Sequence, residues 1–375
     1  MTPARPAFER RVLSALDARP ARIPVLVGSC GTGRTYLLRS IRERLGESGC
    51  QYIDVERSAT TPERLLRTVL AASPFSAADV GPDAQSPREA FDTLIAFFQG
   101  ARGRTGGPVT FLLDEALEFR TFENFPGLRH VFHDLLAGLA GSTNHFVLTT
   151  RYITRALRLL RDQAPGIEVV PLTPLSADEL REVMGQGWGG DDEVLHAVHA
   201  LTNGHAGYAQ AIADAMRVIG ADPISALSSL LSPDGQLARE LTYSYELRLH
   251  RARGYGALKA ILDILAEQEL LTLTEIAIRL RRTPGSTKDY LSWLEDVDLV
   301  TSRQKRYSFS DPLLRVWVRL HCRPSAPTED DLAREVHRYA LPRLPQTSEP
   351  PPAAPQSEPA FAMAGGPSSG IIEID

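Results

Sequence analysis

Gly28-Ser29-Cys30-Gly31-Thr32-Gly33-Arg34-Thr35 decides how this chain is read. It follows the short apolar run Ile23–Val27 and opens the helical period Thr35–Leu45, so it joins a buried parallel strand to a helix. The spacing matches the phosphate-loop template G-x-x-x-x-G-K-[ST], with Arg34 at the lysine position. Glycines let the backbone wrap closely and aim N–H groups at phosphate oxygens. The helix that starts near Gly33 adds its positive dipole end. The residues expected around a nucleotide are Gly28, Ser29, Cys30, Gly31, Thr32, Gly33, Arg34, Thr35 and Tyr36, with the Thr35 hydroxyl on Mg²⁺. Arginine is planar and forked where lysine is a point charge, so nucleotide binding is expected with slow hydrolysis. The bland alternative is a glycine-rich turn with no ligand.

Two further stretches support the first reading. Val109-Thr110-Phe111-Leu112-Leu113-Asp114-Glu115 is an apolar strand ending in two carboxylates, the Walker B pattern. Asp114 is expected to hold a Mg²⁺-bound water or Thr35, and Glu115 to act as general base on the attacking water. Alone, Asp114 could simply cap the next helix. His145-Phe146-Val147-Leu148-Thr149-Thr150-Arg151 is a strand ending in polar groups and a cation. Thr150 could orient the water and Arg151 reach the γ-phosphate, because ligands bind at the carboxyl edge of open α/β sheets. The alternative for Arg151 is a surface arginine that starts the next helix.

Outward from these motifs, strands at Tyr52–Val55 and Ile167–Val170 alternate with helices at Phe8–Ala18, Pro62–Ala71 and Pro87–Gln99. That alternation implies an α/β sheet with parallel crossovers, and with the phosphate-loop motif the expectation for residues 1–175 is a P-loop NTPase core of three α/β/α layers on a parallel sheet. Residues 176–254 show helical periods only and are read as a helical lid and connector. Residues 255–322 run helix, Thr272–Leu273, helix, turn, helix and two strands, Leu299–Ser302 and Arg306–Phe309, the element order of a winged helix-turn-helix. In the turn Thr283-Pro284-Gly285-Ser286, Ser286 is the expected helix cap. Residues 323–375 are rich in Pro, Ala and Ser and are expected to be mostly disordered, with Ile371–Asp375 a frayed end or a docking peptide.

The chain has 375 residues, a net charge of −5 and three cysteines, Cys30, Cys50 and Cys322. Its balance gives no sign of a chain built throughout to hold nucleic acid or an anionic membrane. The cysteine number and spacing fit neither a disulfide framework nor a metal site, so a reducing, cytoplasmic compartment is expected. Met1–Pro24 lacks the sustained apolar run of a secretory signal, and no stretch is apolar enough to span a membrane. His130/His133 and His196/His199 are spaced i, i+3 but lack a third ligand, so no metal site beyond Mg²⁺ is expected.

The three motifs in this order resemble the AAA+/STAND superfamily of P-loop ATPases. Leu148-Thr149-Thr150-Arg151 is similar to the sensor 1 segment of STAND proteins, whose arginine senses the γ-phosphate. Leu172-Thr173-Pro174-Leu175-Ser176-Ala177-Asp178-Glu179-Leu180 is similar to the linker into their lid. Leu201-Thr202-Asn203-Gly204-His205 is similar to the glycine-centred lid motif that contacts nucleotide, which adds His205 to the expected site. Tyr307–Trp317 resembles the end of the winged helix in the archaeal-type ATPase family, also found in bacteria. Arg34 departs from the family lysine, Ala206 and Gly207 stand where a proline is usual, and Phe8-Glu9-Arg10 lacks the family's glycine-arginine box.

The resemblance implies ATP and Mg²⁺ as ligands and a nucleotide-driven switch. A non-hydrolysing scaffold and an ATP-responsive DNA-binding regulator stay open. Basic residues gather at Arg279, Arg281, Arg282, Arg303, Lys305 and Arg306, but charge over 255–322 is nearly balanced, a weak nucleic-acid signature. A protein partner is expected, and an oligomer is possible since many relatives form rings or arcs.

Overall fold

Ile23–Val27 is buried at every position, which is why its run is continuously apolar rather than alternating. In the computed structural model, residues 5–344 are described except 79, 162–165, 185–190 and 252–253. The first half runs α1 (Pro6–Asp17), β1 (Ile23–Val27), α2 (Arg34–Leu45), β2 (Cys50–Asp54), α3 (Val55–Ser58), α4 (Pro62–Ala71) and α5 (Pro87–Gly100). It continues through β3 (Thr110–Asp114), a 3-10 segment (Ala116–Asn124), α6 (Val131–Ala140), β4 (His145–Thr150), α7 (Ile153–Leu160) and β5 (Ile167–Pro171).

All five strands are parallel, in the order β2-β3-β4-β1-β5. Successive side chains of a strand face opposite sides, and the cores follow that rule. Val25, Val27, Phe111, Leu113, Phe146 and Leu148 face one helical layer, while Leu26, Leu112, Val147 and Val170 face the other. The sheet is therefore sandwiched, which gives the three-layer P-loop NTPase core. Val27 lies beside Thr150, and Asp54 beside Asp114, so the carboxyl ends of β1, β2, β3 and β4 share one edge.

The second half begins with α8 (Ala177–Met184), α9 (Asp192–Thr202), α10 (Ala206–Ile219), α11 (Pro223–Leu231) and α12 (Gln236–Arg251). Then come α13 (Tyr255–Glu267), β6 (Leu271–Thr272), α14 (Leu273–Leu280), α15 (Pro284–Asp296), β7 (Val300–Arg303), β8 (Arg306–Phe309) and α16 (Pro312–His321). Strand β8 pairs antiparallel with both β6 and β7. Gln304 and Lys305, which join β7 to β8, both have positive φ, the conformation of a tight hairpin turn. A capping box between Thr272 and Glu275 starts α14.

Two expectations need correction. The cap of α15 is Thr283, whose hydroxyl accepts the Ser286 N–H at 3.3 Å. Pro284 takes the first helical position, where its missing N–H is no loss, and this places Ser286 inside the first turn. The tail expected from residue 323 starts later, because α17 (Glu329–Ala340) is a helix. Thr328 and Asp331 form its capping box, and Leu332, Val336, Tyr339 and Ala340 bury one face. Glu335 takes Arg319 as a bidentate partner at 2.7 and 2.8 Å, and the Tyr339 hydroxyl donates to Leu201 O at 2.6 Å. Residues 345–375, with the Ile371–Asp375 segment, lie outside the described residues.

One apolar core runs through the second half from Leu175 to Ala340. It joins Leu201 and Ile212 of α9 and α10 to Leu262, Leu294 and Trp317 of α13, α15 and α16. Among the described residues, that core shows no boundary near residue 254. No helix among the described residues is long and apolar enough to cross a membrane.

Candidate functional site

The loop Gly28–Thr35 leaves β1 at the shared carboxyl edge and enters α2. Gly31 and Gly33 have φ of 77° and 81°, which side chains rarely adopt. Gly31 is also packed from outside, since a Cβ there would stand 2.1 Å from the His205 ring. The Thr32 hydroxyl closes the loop on Ser29 O at 2.8 Å. Thr35 sits partly buried on the first turn of α2, and Tyr36 beside it is 37% exposed.

Arg34 is buried and folds back into its own loop, donating to Gly28 O and Ser29 O. Its Nη2 donates to Glu115 Oε1 at 2.7 Å, and its Nε has no partner. Glu115 also meets Arg151, whose Nε stands 3.2 Å from Oε1 and whose backbone N–H donates to Oε2 at 3.0 Å. Arg151 continues to Glu56, so two arginines and two glutamates alternate across the strand ends. Burial works against the Arg151 charge, but Glu115 and Glu56 help hold the guanidinium above its ordinary range.

Asp114 is buried at the end of β3 and accepts from Thr149 Oγ1 at 2.5 Å and from the Tyr52 hydroxyl at 2.7 Å. Burial and the bond to Asp114 push the Tyr52 phenol up. Thr149 also accepts the Glu115 N–H at 3.0 Å, whereas the Thr150 hydroxyl accepts the Tyr152 N–H at 3.2 Å. Thr149 is thus the threonine that fixes both carboxylate-bearing residues, because the register that pairs Leu113 with Leu148 sets it beside Asp114.

The opposite wall belongs to the helical half. His205 caps α10 by accepting the Tyr208 N–H at 3.2 Å, stacks on Tyr208 at 3.6 Å, and lies on Gly31. Burial lowers the His205 pKa, which leaves the imidazole neutral. Arg248 of α12, Asp298, Ser310 and Asp311 line the same cavity. Arg5 anchors the loop from below, donating to Thr32 O at 2.9 Å and pairing with Glu179 at 3.0 Å. Of these residues, His205 is an expected ligand contact, and Glu179, Ser310 and Asp311 lie in stretches that the sequence singles out without a role at the site. Arg5, Tyr52, Glu56, Thr149, Arg248 and Asp298 come together through the fold alone.

The loop fits an anion. Among the described residues, the backbone N–H groups of Gly31, Gly33, Arg34, Thr35 and Tyr36 donate to no protein acceptor. Arg34 brings a cation to the same spot, so both the donors and the charge suit a phosphate chain. Mg²⁺ fits by its chemistry as well. It favours one or two protein oxygens with the rest from phosphate and water, and Thr35 with Asp114 is such a pair. Among the described residues, no cluster of three or more His, Cys, Asp or Glu offers a site of its own.

No family profile and no curated protein matches this sequence. Among solved structures, the chain is similar to a Walker-type ATPase of Pyrococcus abyssi, with a TM-score of 0.64 and 17% identity over 84% of this chain and 95% of that one. Weaker likenesses include Cdc6p of Pyrobaculum aerophilum, with a TM-score of 0.43 and 15% identity over 92% of this chain and 96% of that one. The ORC1 protein of Aeropyrum pernix, solved in complex with DNA, gives 0.45 and 17% over 90% and 93%. The P. abyssi likeness and the five-stranded parallel sheet together show that this chain has the P-loop fold of the Walker-type ATPases.

Proposed function

We propose that the chain binds ATP with Mg²⁺ at Gly28–Thr35, hydrolyses it slowly, and uses the bound state to set the helical half against the sheet. The observation that carries this reading is the wall facing the loop: His205 lies on Gly31 and Arg248 on Cys30, so helical residues cover a phosphate cradle. When bound, ATP supplies the phosphoryl group to be transferred, and Mg²⁺ the charge that offsets it. Arg34 would exchange its loop carbonyls for phosphate oxygens, with Thr35 and Asp114 on the Mg²⁺ side. Glu115, freed from Arg34, would accept the proton of the attacking water. Arg151 would follow the γ-phosphate, and Thr150 would line the water's path.

Because residues 175–340 share one core, the lid and the unit that follows would move together, turning near Pro171–Ser176. Limited proteolysis at saturating ATP and ADP tests the switch. Distinct cleavage patterns are expected, and identical patterns would end it.

A second reading, a non-hydrolysing scaffold, has the Arg34–Glu115 ion pair in its favour. ATP recovered intact after hours at saturation would select it.

We read α13 to β8 as a winged helix with a protein or DNA partner. Arg279, Arg281, Arg282, Arg303, Lys305 and Arg306 are exposed there, and none forms an ion pair among the described residues. Such cations can bind phosphates without reading bases. A low-salt gel shift lost when Arg303, Lys305 and Arg306 are neutralised is the expected result for DNA; no shift leaves a protein as the partner.

A further inference from the structure

The cavity on the loop contains a buried charge that the phosphate-loop motifs do not account for. Arg248 is 6% exposed. Its Nη2 donates to Cys30 Sγ at 3.0 Å and its Nη1 to Asp298 O at 2.9 Å. Among the described residues it has no carboxylate at ion-pair distance. A buried guanidinium held directly by one thiol and one carbonyl is compensated only at longer range, by the charges of Asp298 and Asp311. Cys30 belongs to the phosphate loop, so this cation stands at the place where anions are held.

Asp298 poses the complementary problem. It is 7% exposed, sits at φ 56° between α15 and β7, and lines the same cavity. Its carboxylate accepts no hydrogen bond from a described residue. Asp311, the neighbouring carboxylate, is fully engaged, accepting Leu313 N at 2.9 Å, Leu314 N at 3.3 Å and the Tyr208 hydroxyl at 2.7 Å. Ser310 Oγ, on the same wall, is buried without a partner. The interior of this cavity is only about 40 Å³, room for a few waters.

We propose that a phosphate chain in the loop is bound by Arg248 and opposed by Asp298, so that its arrival strengthens the link from the loop to α12 and breaks the link from α12 to the turn ahead of β7. The inference rests on the nucleotide reading above and adds two residues to it. Phosphate charge at Cys30–Gly31 draws in the Arg248 guanidinium and repels the Asp298 carboxylate. Nη1 then exchanges Asp298 O for a phosphate oxygen, and the turn ahead of β7 is released from Arg248. Burial, offset in part by Arg248 and Arg34, raises the Asp298 carboxyl to about 6, which fits an anion seated without donors.

The test is titration of the full-length protein with a fluorescent ATP analogue and with ADP, in the presence of Mg²⁺. Asp298→Asn keeps the shape and tolerates the same backbone, and it should tighten binding about tenfold by removing like charge. Arg248→Gln should weaken binding about tenfold through loss of a charged donor, and Arg248→Lys should recover part of that loss. Equal affinity for Asp298→Asn and wild type, or weaker binding, would overturn the proposal, and misfolding cannot imitate the expected gain. If wild type binds nothing and Asp298→Asn binds, the opposing carboxylate is established. If neither binds at millimolar nucleotide, this inference and the nucleotide reading both fall.

Discussion

The two walls of the loop cleft are built on opposite principles. On the sheet side, Arg34, Glu115, Arg151 and Glu56 compensate one another, and Asp114 is held by Thr149 and Tyr52. On the helical side, among the described residues, Arg248 has no carboxylate at ion-pair distance, the Asp298 carboxylate accepts no hydrogen bond, and Ser310 Oγ is unsatisfied. Buried charge without a partner is unfavourable, so the sheet wall, although Arg34 Nε and Arg151 Nε donate no hydrogen bond, is the more directly compensated of the two. A ligand that supplies negative charge would have to break ion pairs on the sheet wall, whereas on the helical wall it meets a guanidinium with no carboxylate at ion-pair distance among the described residues.

The largest expected effect is on the sheet wall. Glu115→Gln should lower ATP turnover by about two to three orders of magnitude while leaving nucleotide bound, since it removes a general base. Single-turnover hydrolysis checks this, and unchanged turnover would place the chemistry elsewhere.

Next is the unity of the helical wall. Leu262 is fully buried in the shared core, so Leu262→Ala should destabilise it by about 3 kcal/mol. Hydrogen exchange should show α9, α10, α13 and α16 losing protection together. Loss confined to α13–α16 would divide the wall into independent parts.

A smaller effect is read with pH. The Asp298 carboxyl is raised from 3.8 to about 6 by burial, with Arg248, Arg34 and Arg151 lowering it and Asp311 raising it. A raised carboxyl pKa means stability that is full below pH 4 and is lost as pH rises through about 6. Asp298→Asn should therefore gain on wild type over that window, by about 3 kcal/mol above it. Chemical denaturation at pH 4.5 and pH 7.5 measures the difference; equal gaps at both pH values would mean that the carboxylate is compensated after all. Smallest is the loss of the α15 cap. Thr283→Ala should cost about 1 kcal/mol, read as a lowered Tm.

Some of this was legible in the sequence and some was not. The strand, loop and helix around Gly28–Thr35 are contiguous, so local periodicity located them within a residue. Thr149 and Thr150 are adjacent, and alternation says only that they face opposite ways; which one meets Asp114 depends on β3 being the neighbour of β4. Arg248 and Cys30 are 218 positions apart, and no local pattern joins them. The helix α17 did carry a signal, its Thr328–Asp331 capping box and the Leu332, Val336, Tyr339 spacing. The proline-rich composition around it hid that signal.

The core shared by residues 175–340 has a genetic consequence. The Tyr245 and Trp317 rings pack at a tilt, centroids 5.1 Å apart, and Tyr339 is bonded to Leu201. A premature stop codon anywhere before the end of α17 would thus remove part of the packing under the cleft rather than an appendage. Late nonsense alleles should behave like lesions in Gly28–Thr35 itself.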